Sequence, residues 1–547
     1  MRQSLFATLF VLFAASLSAQ EYSNYAEQTN RLNALTKAYP GLTTLISLTK
    51  TNGGKDIWLL TIGSGKTESK PAIAVVGGTE GNHLLGTELA IGFAENLLKG
   101  SNADSIKNLL AKTTYYVFPN MSPDAMEQYF AKLKYERTGN ATETDDDRDG
   151  KLNEDGFDDL DGNGKITQMR VESPIGDYKI HPDDPRVLIK ADASKGEKGK
   201  YLLLTEGIDN DKDGLLNEDG EGGIAFNKNL TYKHNTFAAG AGDYPASEKE
   251  TRALLNFLYD AFNVYAIISF GSNNNLSSPV AFNPAAAKER ILAGYLEPDA
   301  KANSMVSELY NKITGTKDAP KTSPAGGELD WFYAGRGIYT YSNELWTPYL
   351  MFMKEGTRDP FDNSTYNFDR YLLFQDAFVP WKEYNHPQFG KIEIGGFKKN
   401  FTRAHPGFLL ESDAHRNMAF SIYHCYSTPK LEVQDIIEKD LGDGIKEVSA
   451  VIANQRLMPT HSSQDAKNKI ERPDYISLST SGKVLAGMTV ENKDLNLTTE
   501  QKNNPQTIEV PNIPGMGAVT VKWIVQVGGK YTVSVDSKKG GIAIGSK

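Results

Sequence analysis

Three short acidic stretches carry the clearest chemistry in this sequence. Asp145-x-Asp147-x-Asp149-Gly150 sets carboxylates at alternate positions and a glycine where the chain must turn sharply. The pattern recurs as Asp159-x-Asp161-x-Asn163-Gly164 and again as Asp209-x-Asp211-x-Asp213-Gly214. Alternate oxygen donors closed by a turn glycine suit a loop that wraps a hard divalent cation, normally calcium. Asn153, Glu154 and Asp155 follow the first stretch, and Asn217, Glu218 and Asp219 the third, and could complete the ligand shell. No stretch has a glutamate at its twelfth position, so compact structural loops are expected rather than helix–loop–helix sensors. The plain alternative is a solvated acidic loop, which the mutual repulsion of such dense carboxylates disfavours.

These stretches also account for the charge. The 547 residues carry a formal charge of −10. The window Glu143–Gly164 holds 10 acidic and 2 basic residues, and Glu206–Glu221 holds 7 and 1. The acidity is therefore local, and no Lys/Arg stripe marks a nucleic-acid partner. The single cysteine, Cys425, excludes disulfides within the chain. Arg2 followed by an apolar run from Leu5 to Leu17 and small residues at Ser18–Ala19 reads as a signal peptide over residues 1–19. A secreted or periplasmic protein follows from that reading. No segment is long and apolar enough for a transmembrane span.

The elements that must position any site come next. Tyr22–Tyr39 has helical apolar spacing and stops at Pro40, and Leu42–Leu48 and Ile57–Ile62 read as strands around an Asn52-Gly53-Gly54 turn. Ala72–Val76 is a continuous apolar run, the mark of a strand buried on both faces. The loop Gly77–Gly86 leads into a helix over Thr87–Leu98. Tyr115–Phe118 is a further strand, and a helix over Ser247–Tyr259 feeds a strand over Val264–Phe270. This alternation predicts an α/β fold, a sheet with helices on both sides. Ligand sites of such sheets lie at the carboxyl ends of strands, here Gly77–Gly86 and Gly271–Asn275. From about residue 430 short strand-like runs separated by turns predict a C-terminal β-sandwich over 430–547.

The loop after the buried strand reads Gly77-Gly78-Thr79-Glu80-Gly81-Asn82-His83-Leu84. Here the sequence resembles the zinc carboxypeptidase family, the carboxypeptidase A-like metallopeptidases, whose loop carries His-x-x-Glu as zinc ligands. In this chain the two ligand types are exchanged, as Glu80 and His83. Ser122-Pro123-Asp124-Ala125, Asn227-Lys228-Asn229 and Tyr341-Ser342-Asn343-Glu344 resemble further family segments, and the order and spacing match over roughly residues 22–428. The resemblance implies a carboxypeptidase-like mixed sheet flanked by helices over 20–429, interrupted by a calcium-loop insertion at about 140–225. It implies zinc at Glu80 and His83, substrate carboxylate binding by Asn227 and Lys228, and Glu344 as the catalytic base. Gly271 falls where the family has its third zinc ligand, and Lys228 stands in place of an arginine, keeping the charge but losing the bidentate fork.

Three functions follow from these residues. The first is a carboxypeptidase-fold protein that binds peptide or protein C-termini, or glycan, with impaired or absent catalysis. The second is an active zinc carboxypeptidase using the altered Glu-x-x-His pair. The third is a calcium-stabilised surface or assembly protein. His405, His415 and His424 read as surface residues, and Glu80 reads alternatively as a loop carboxylate paired with Lys228 or with backbone amides.

Overall fold

The computed structural model describes residues 22–145, 150–217, 220, 222–271, 273–316, 328–345, 364–399, 401 and 406–547. The signal-peptide segment, Asp147, Asp149 and His405 lie outside the described residues, as does the side chain of Glu344.

A mixed six-stranded sheet forms the centre. Across it the order is Thr43–Lys50, Asp56–Ile62, Thr114–Phe118, Ala72–Gly77, Val264–Gly271 and Tyr339–Glu344. The first two strands are antiparallel to each other and the second is antiparallel to Thr114–Phe118, whereas the remaining pairs are parallel. Every residue of Ala72–Gly77 and of Val264–Gly271 is buried. The alternation of a strand explains how both faces are used. Ile73, Val75 and Ile268 pack beneath Leu89 and Phe93 of the helix Leu84–Lys99 and Phe420 of the helix Gly407–His424. Ala74, Val76 and Ile267 face the other way, toward Leu254 and Leu258 of the helix Lys249–Asp260. Each such buried aliphatic side chain contributes about 1.5–3 kcal/mol, so the two cores fix the sheet.

Two local expectations need correction. The helix after the glycine loop begins at Leu84, not Thr87, because Leu84 and Leu85 are drawn into the core at 2% and 0% exposure. His424 is not a surface residue. It closes the helix Gly407–His424 on the face that carries Phe420, and its ring is fully buried beside Tyr341, Tyr265 and Phe420. Burial pushes its pKa down to about 3, so it is a neutral core histidine. His415, by contrast, is exposed.

The acidic insertion leaves and rejoins the sheet domain at one point. Asn140 N–H donates to the Ile224 carbonyl at 2.9 Å, and Ile224 N–H returns to Asn140 Oδ1 at 3.0 Å. Asn140 Nδ2 also donates to Glu248 at 2.7 Å and Glu250 at 2.6 Å, pinning that base to the helix Lys249–Asp260. The insertion is more than loops. Gln168–Glu172, Tyr201–Thr205, Tyr178–His181 and Asp184–Lys190 join the hairpin Phe378–His386 and Gly390–Phe397 in a second six-stranded sheet. Met169, Val171, Ile392 and Ile394 form its small core.

Beyond Thr428 nine strands lie between Leu431 and Ser546, in a five-stranded and a four-stranded sheet. Val448, Val521 and Trp523 of one and Ile476, Leu478 and Val533 of the other share a single buried cluster. Asp299 ties this part to the rest. Its carboxylate accepts from the Tyr333 and Tyr339 hydroxyls and from Ser463 and Gln464 N–H at the start of the helix Ser463–Asn468. Among the described residues no helix is long and apolar enough to cross a membrane.

Candidate functional site

Three parallel strands end side by side. Gly77 is in register with Phe270, and Gly271 with Glu344 on the neighbouring strand. The sheet's twist and parallel pairing thus bring the loop carrying Glu80 and His83, the end of Val264–Gly271 and the candidate base position to one edge. That is the edge where α/β sheets bind ligands. Close backbone packing shapes the loop. Gly78 has φ +62°, and a Cβ there would stand 2.4 Å from Asn120 Oδ1. A Cβ on Gly86 would stand 2.0 Å from the Phe270 carbonyl oxygen. Only glycine permits both approaches.

Within this frame Glu80 meets Asn227, whose Nδ2 donates to Glu80 Oε1 at 2.7 Å. The loop carboxylate therefore does not pair with Lys228, which instead donates from Nζ to the Ala239 carbonyl at 3.1 Å. The Glu80 carbonyl accepts from His83 N–H at 3.0 Å, closing the turn that launches the helix Leu84–Lys99. His83 is 2% exposed. Asn229 is structural: its Nδ2 donates to the Ala241 carbonyl at 2.8 Å and to Ser247 Oγ at 2.9 Å. Asp124 is structural too, accepting from Thr51 Oγ1, Gly53 N–H, Ala141 N–H and Lys55 Nζ.

A feature the motifs did not signal is a group of unsatisfied polar atoms at this edge. Among the described residues, no hydrogen-bond partner reaches Asn82 Oδ1, Thr87 Oγ1 or either amide atom of Asn343, and all three residues are at most 5% exposed. Buried polar groups are normally paired, so such a concentration marks a place where water or a ligand supplies the bonds. Asn343 lies next to Glu344 in sequence and opposite Phe270 in the sheet.

The site can be tested for zinc on its donors. A catalytic zinc site uses three protein ligands and an open position. Glu80 and His83 offer two, while Gly271, at the end of its strand, offers no side-chain atom. Among the described residues, groups of three or more metal-capable side chains form elsewhere, at Asp159, Asp161 and Glu206, at Asp209, Asp211 and Asp213, and at His461, Asp465 and Glu471. The three-ligand zinc set does not fit this edge.

The acidic loops, in contrast, share one geometry. Gly150, Gly164 and Gly214 all have positive φ, at +95°, +76° and +100°. Each donates its N–H to the first aspartate of its own loop, to Asp145 at 3.0 Å, Asp159 at 2.7 Å and Asp209 at 3.2 Å. Asn163 N–H donates to both Asp159 and Asp161, so its backbone helps to shape the second loop. Glu206 joins that loop, fully buried, and accepts from Thr167 N–H at 2.8 Å and Leu160 N–H at 3.0 Å. Burial raises its pKa. Asp155, also fully buried, accepts from Asn217 N–H and from Asn210, joining the first loop to the third. Sequence reading counted Glu206 only as charge. The buried trio at His461 already holds a cation, because Lys539 Nζ lies 2.9 Å from Asp465 and 3.3 Å from Glu471.

Comparison with known proteins agrees with the sheet-edge motifs. Residues 29–180 match the Zinc carboxypeptidase family, and residues 430–545 match a Domain of unknown function (DUF8731). Carboxypeptidase E of Caenorhabditis elegans is 30% identical over 111 residues, 19% of this chain and 24% of that protein. Human Carboxypeptidase D is 30% identical over 117 residues, 21% of this chain and 8% of that protein. The matched segment thus spans a quarter or less of these relatives. The structure of bovine thrombin-activatable fibrinolysis inhibitor in complex with tick carboxypeptidase inhibitor superposes over 74% of this chain and 97% of that one, with TM-score 0.40 and 13% identity. Over residues 29–180, then, this chain is similar to the zinc carboxypeptidase family and to the relatives that align there.

Proposed function

We propose that this protein is a secreted or periplasmic carboxypeptidase-fold binding protein that takes peptide or protein C-termini at the sheet edge and does not hydrolyse them efficiently. Gly271 carries this reading. By the family resemblance it falls where the third metal ligand is expected, and it is in register with Glu344, so the base position faces a strand end with no donor side chain. A carboxylate at Glu344 with no metal-held water beside it has nothing to activate. Binding chemistry, however, survives. Lys228 offers a positive charge, Asn227 an amide within reach of the loop, and Asn82, Thr87 and Asn343 offer unsatisfied donors and acceptors. A terminal carboxylate and the last peptide groups have the complementary chemistry.

Zinc analysis of the purified protein, paired with calorimetric titration of peptides, tests the proposal. The expected result is substoichiometric zinc, binding of peptides with a free C-terminus, and loss of binding on amidation or in Lys228→Gln. Stoichiometric zinc, with peptide hydrolysis abolished in Glu80→Ala, would establish an active enzyme with an altered ligand pair and overturn the proposal.

The insertion carries a second reading. We propose that its three loops hold calcium as structural ions. The shared closing bond from each turn glycine to the first aspartate supports this, as does the convergence of Asp159, Asp161 and Glu206 and of Asp209, Asp211 and Asp213. Chelation that leaves both the melting temperature and the protease resistance of residues 145–221 unchanged would refute it.

A further inference from the structure

At the opposite end of the central sheet, where Ala72–Gly77 and Thr114–Phe118 begin, the nine-stranded C-terminal part meets the carboxypeptidase part around a cavity of about 410 Å³. Lys70 and Lys112 line it from one side, and Lys430 and Arg456 from the other. No aspartate or glutamate lines it.

Three of the four cations are held by neutral groups. Lys70 Nζ donates to the Ser64 carbonyl at 2.6 Å and the Leu110 carbonyl at 2.9 Å. Lys430 Nζ donates to Gln455 Oε1 at 2.8 Å. Arg456 reaches the Cys425 carbonyl at 3.5 Å and stands over the Tyr426 ring at 5.6 Å. Acids flank these groups without lining the cavity: Glu68 precedes Lys70 by two residues on an exposed turn, Asp104 precedes the lining residue Ser105, and Glu432 holds the far side of Gln455. Burial outweighs Glu68 and leaves the Lys70 pKa lowered. Like charges gathered around a concave, partly dry space repel one another and concentrate positive potential inside it. Proteins ordinarily place a carboxylate in such a ring; here the space is left to something else.

We propose that this cavity binds a compact polyanion carrying two or more phosphate or sulfate groups, bridging Lys70 and Lys112 to Lys430 and Arg456. Its volume falls in the range of small-ligand pockets. Four cations match at least two oxyanion groups, and Tyr426 gives an aromatic wall for the body of the ligand. The ligand would join the two parts of the chain by contacting both at once. This site is separate from the Glu80–Glu344 edge, so its test does not depend on the proposed function.

Isothermal titration of the full-length mature protein with tripolyphosphate and with a sulfated disaccharide decides the matter. Saturable one-to-one binding of at least one probe is expected, weakening as salt is raised. Binding of tripolyphosphate alone assigns a phosphate ligand, and binding of the disaccharide alone a sulfated one. Lys112→Gln and Lys430→Gln, both at exposed lysines, should each weaken binding about tenfold, the factor carried by one charge-assisted hydrogen bond. Lys502→Gln, outside the cavity, should leave affinity unchanged. No heat with either probe at millimolar concentration, or equal affinity in the Lys112→Gln/Lys430→Gln double variant, would overturn the proposal.

Discussion

The buried charge cluster at the junction makes stability depend on pH through one histidine. His461 is 2% exposed, with Nδ1 2.8 Å from Asp465 Oδ2 and Nε2 3.3 Å from Asp474 Oδ1. Lys539 bridges Asp465 and Glu471, and Arg336, from the carboxypeptidase part, lies 3.5 Å from Glu471. Burial alone would push the imidazole pKa down. The hydrogen bonds from Asp465 and Asp474 more than offset it, and the group is held up at about 9 against an ordinary 6.5. The folded protein therefore binds this proton more tightly than the unfolded chain does. The resulting stability is present in full below pH 6.5 and is lost as pH rises through about 9. At 1.36 kcal/mol per pKa unit, the shift is worth about 3 kcal/mol. Burial raises the Glu471 pKa, so its contribution also falls with rising pH, from about 4.5 upward; the charges of Lys539, Arg336 and His461 pull that pKa back, so a His461 variant changes it as well. Asp465 is held below the usual carboxylate range despite its burial, and its effect lies on the acid side of this window. Urea unfolding of wild type and His461→Gln, measured across pH 6.5 to about 9, reads the histidine together with its coupling to the cluster. Wild type should lose about 3 kcal/mol more than the variant across that range. Parallel losses in the two proteins would refute an imidazolium at the centre of the cluster.

Four other outcomes are expected. Asp299→Ala removes the acceptor of two hydroxyls and two backbone N–H groups, and should lower stability by about 3 kcal/mol in urea unfolding. Gly86→Ala forces a methyl to within 2.0 Å of the Phe270 oxygen and should cost about 1–3 kcal/mol by the same measurement. Removing calcium with chelator should lower the melting temperature; a site held at 100 times its Kd contributes about 2.7 kcal/mol, and Glu206→Gln should shrink the response. The triple variant Glu80→His, His83→Glu and Gly271→His should gain stoichiometric zinc by elemental analysis, because it supplies the missing donor and restores the family order.

Five of the central sheet's six strands were legible, most clearly the apolar runs Ala72–Gly77 and Val264–Gly271, which are buried throughout; Tyr339–Glu344, rich in polar residues, was not read as a strand. The helix Tyr25–Ala38 was legible from its spacing, and Asn24 caps it with Glu27 in reciprocal bonds. The second sheet was not. Its strands come from two segments that pair across the chain, with Glu393 opposite Arg170, and each alone has weak alternation. Such pairing is a tertiary event that no local period reports. His424 was misplaced for a related reason: a polar residue at a helix end reads as exposed unless its aromatic neighbours, Tyr265 and Tyr341, are known to arrive from the sheet. The loop chemistry was legible as residue types, but the partner of Glu80 was not, since Asn227 lies 147 positions away.

Shape and chemistry at the sheet edge depend on different residues, which explains how one can persist without the other. Gly78 and Gly86 are set by contacts with Asn120 and Phe270, and any side chain there would displace the loop itself. The turn from Glu80 to His83 is closed by backbone atoms, so exchanging a histidine and a glutamate leaves it intact. Position 271 ends a strand whose hydrogen bonds are also made by backbone, and glycine satisfies them as well as histidine would. Folding therefore places no demand on the side chains at positions 80, 83 and 271. At this edge Asn82, Thr87 and Asn343 keep unsatisfied polar atoms, and Asn227 reaches the loop through Glu80. In that setting Glu80 is the acceptor that holds the Asn227 amide in place. On this argument Glu80→Ala, which removes the acceptor, should disturb peptide binding through Asn227 whether or not zinc is supplied, and a variant that binds peptide normally would show that Asn227 needs no such support.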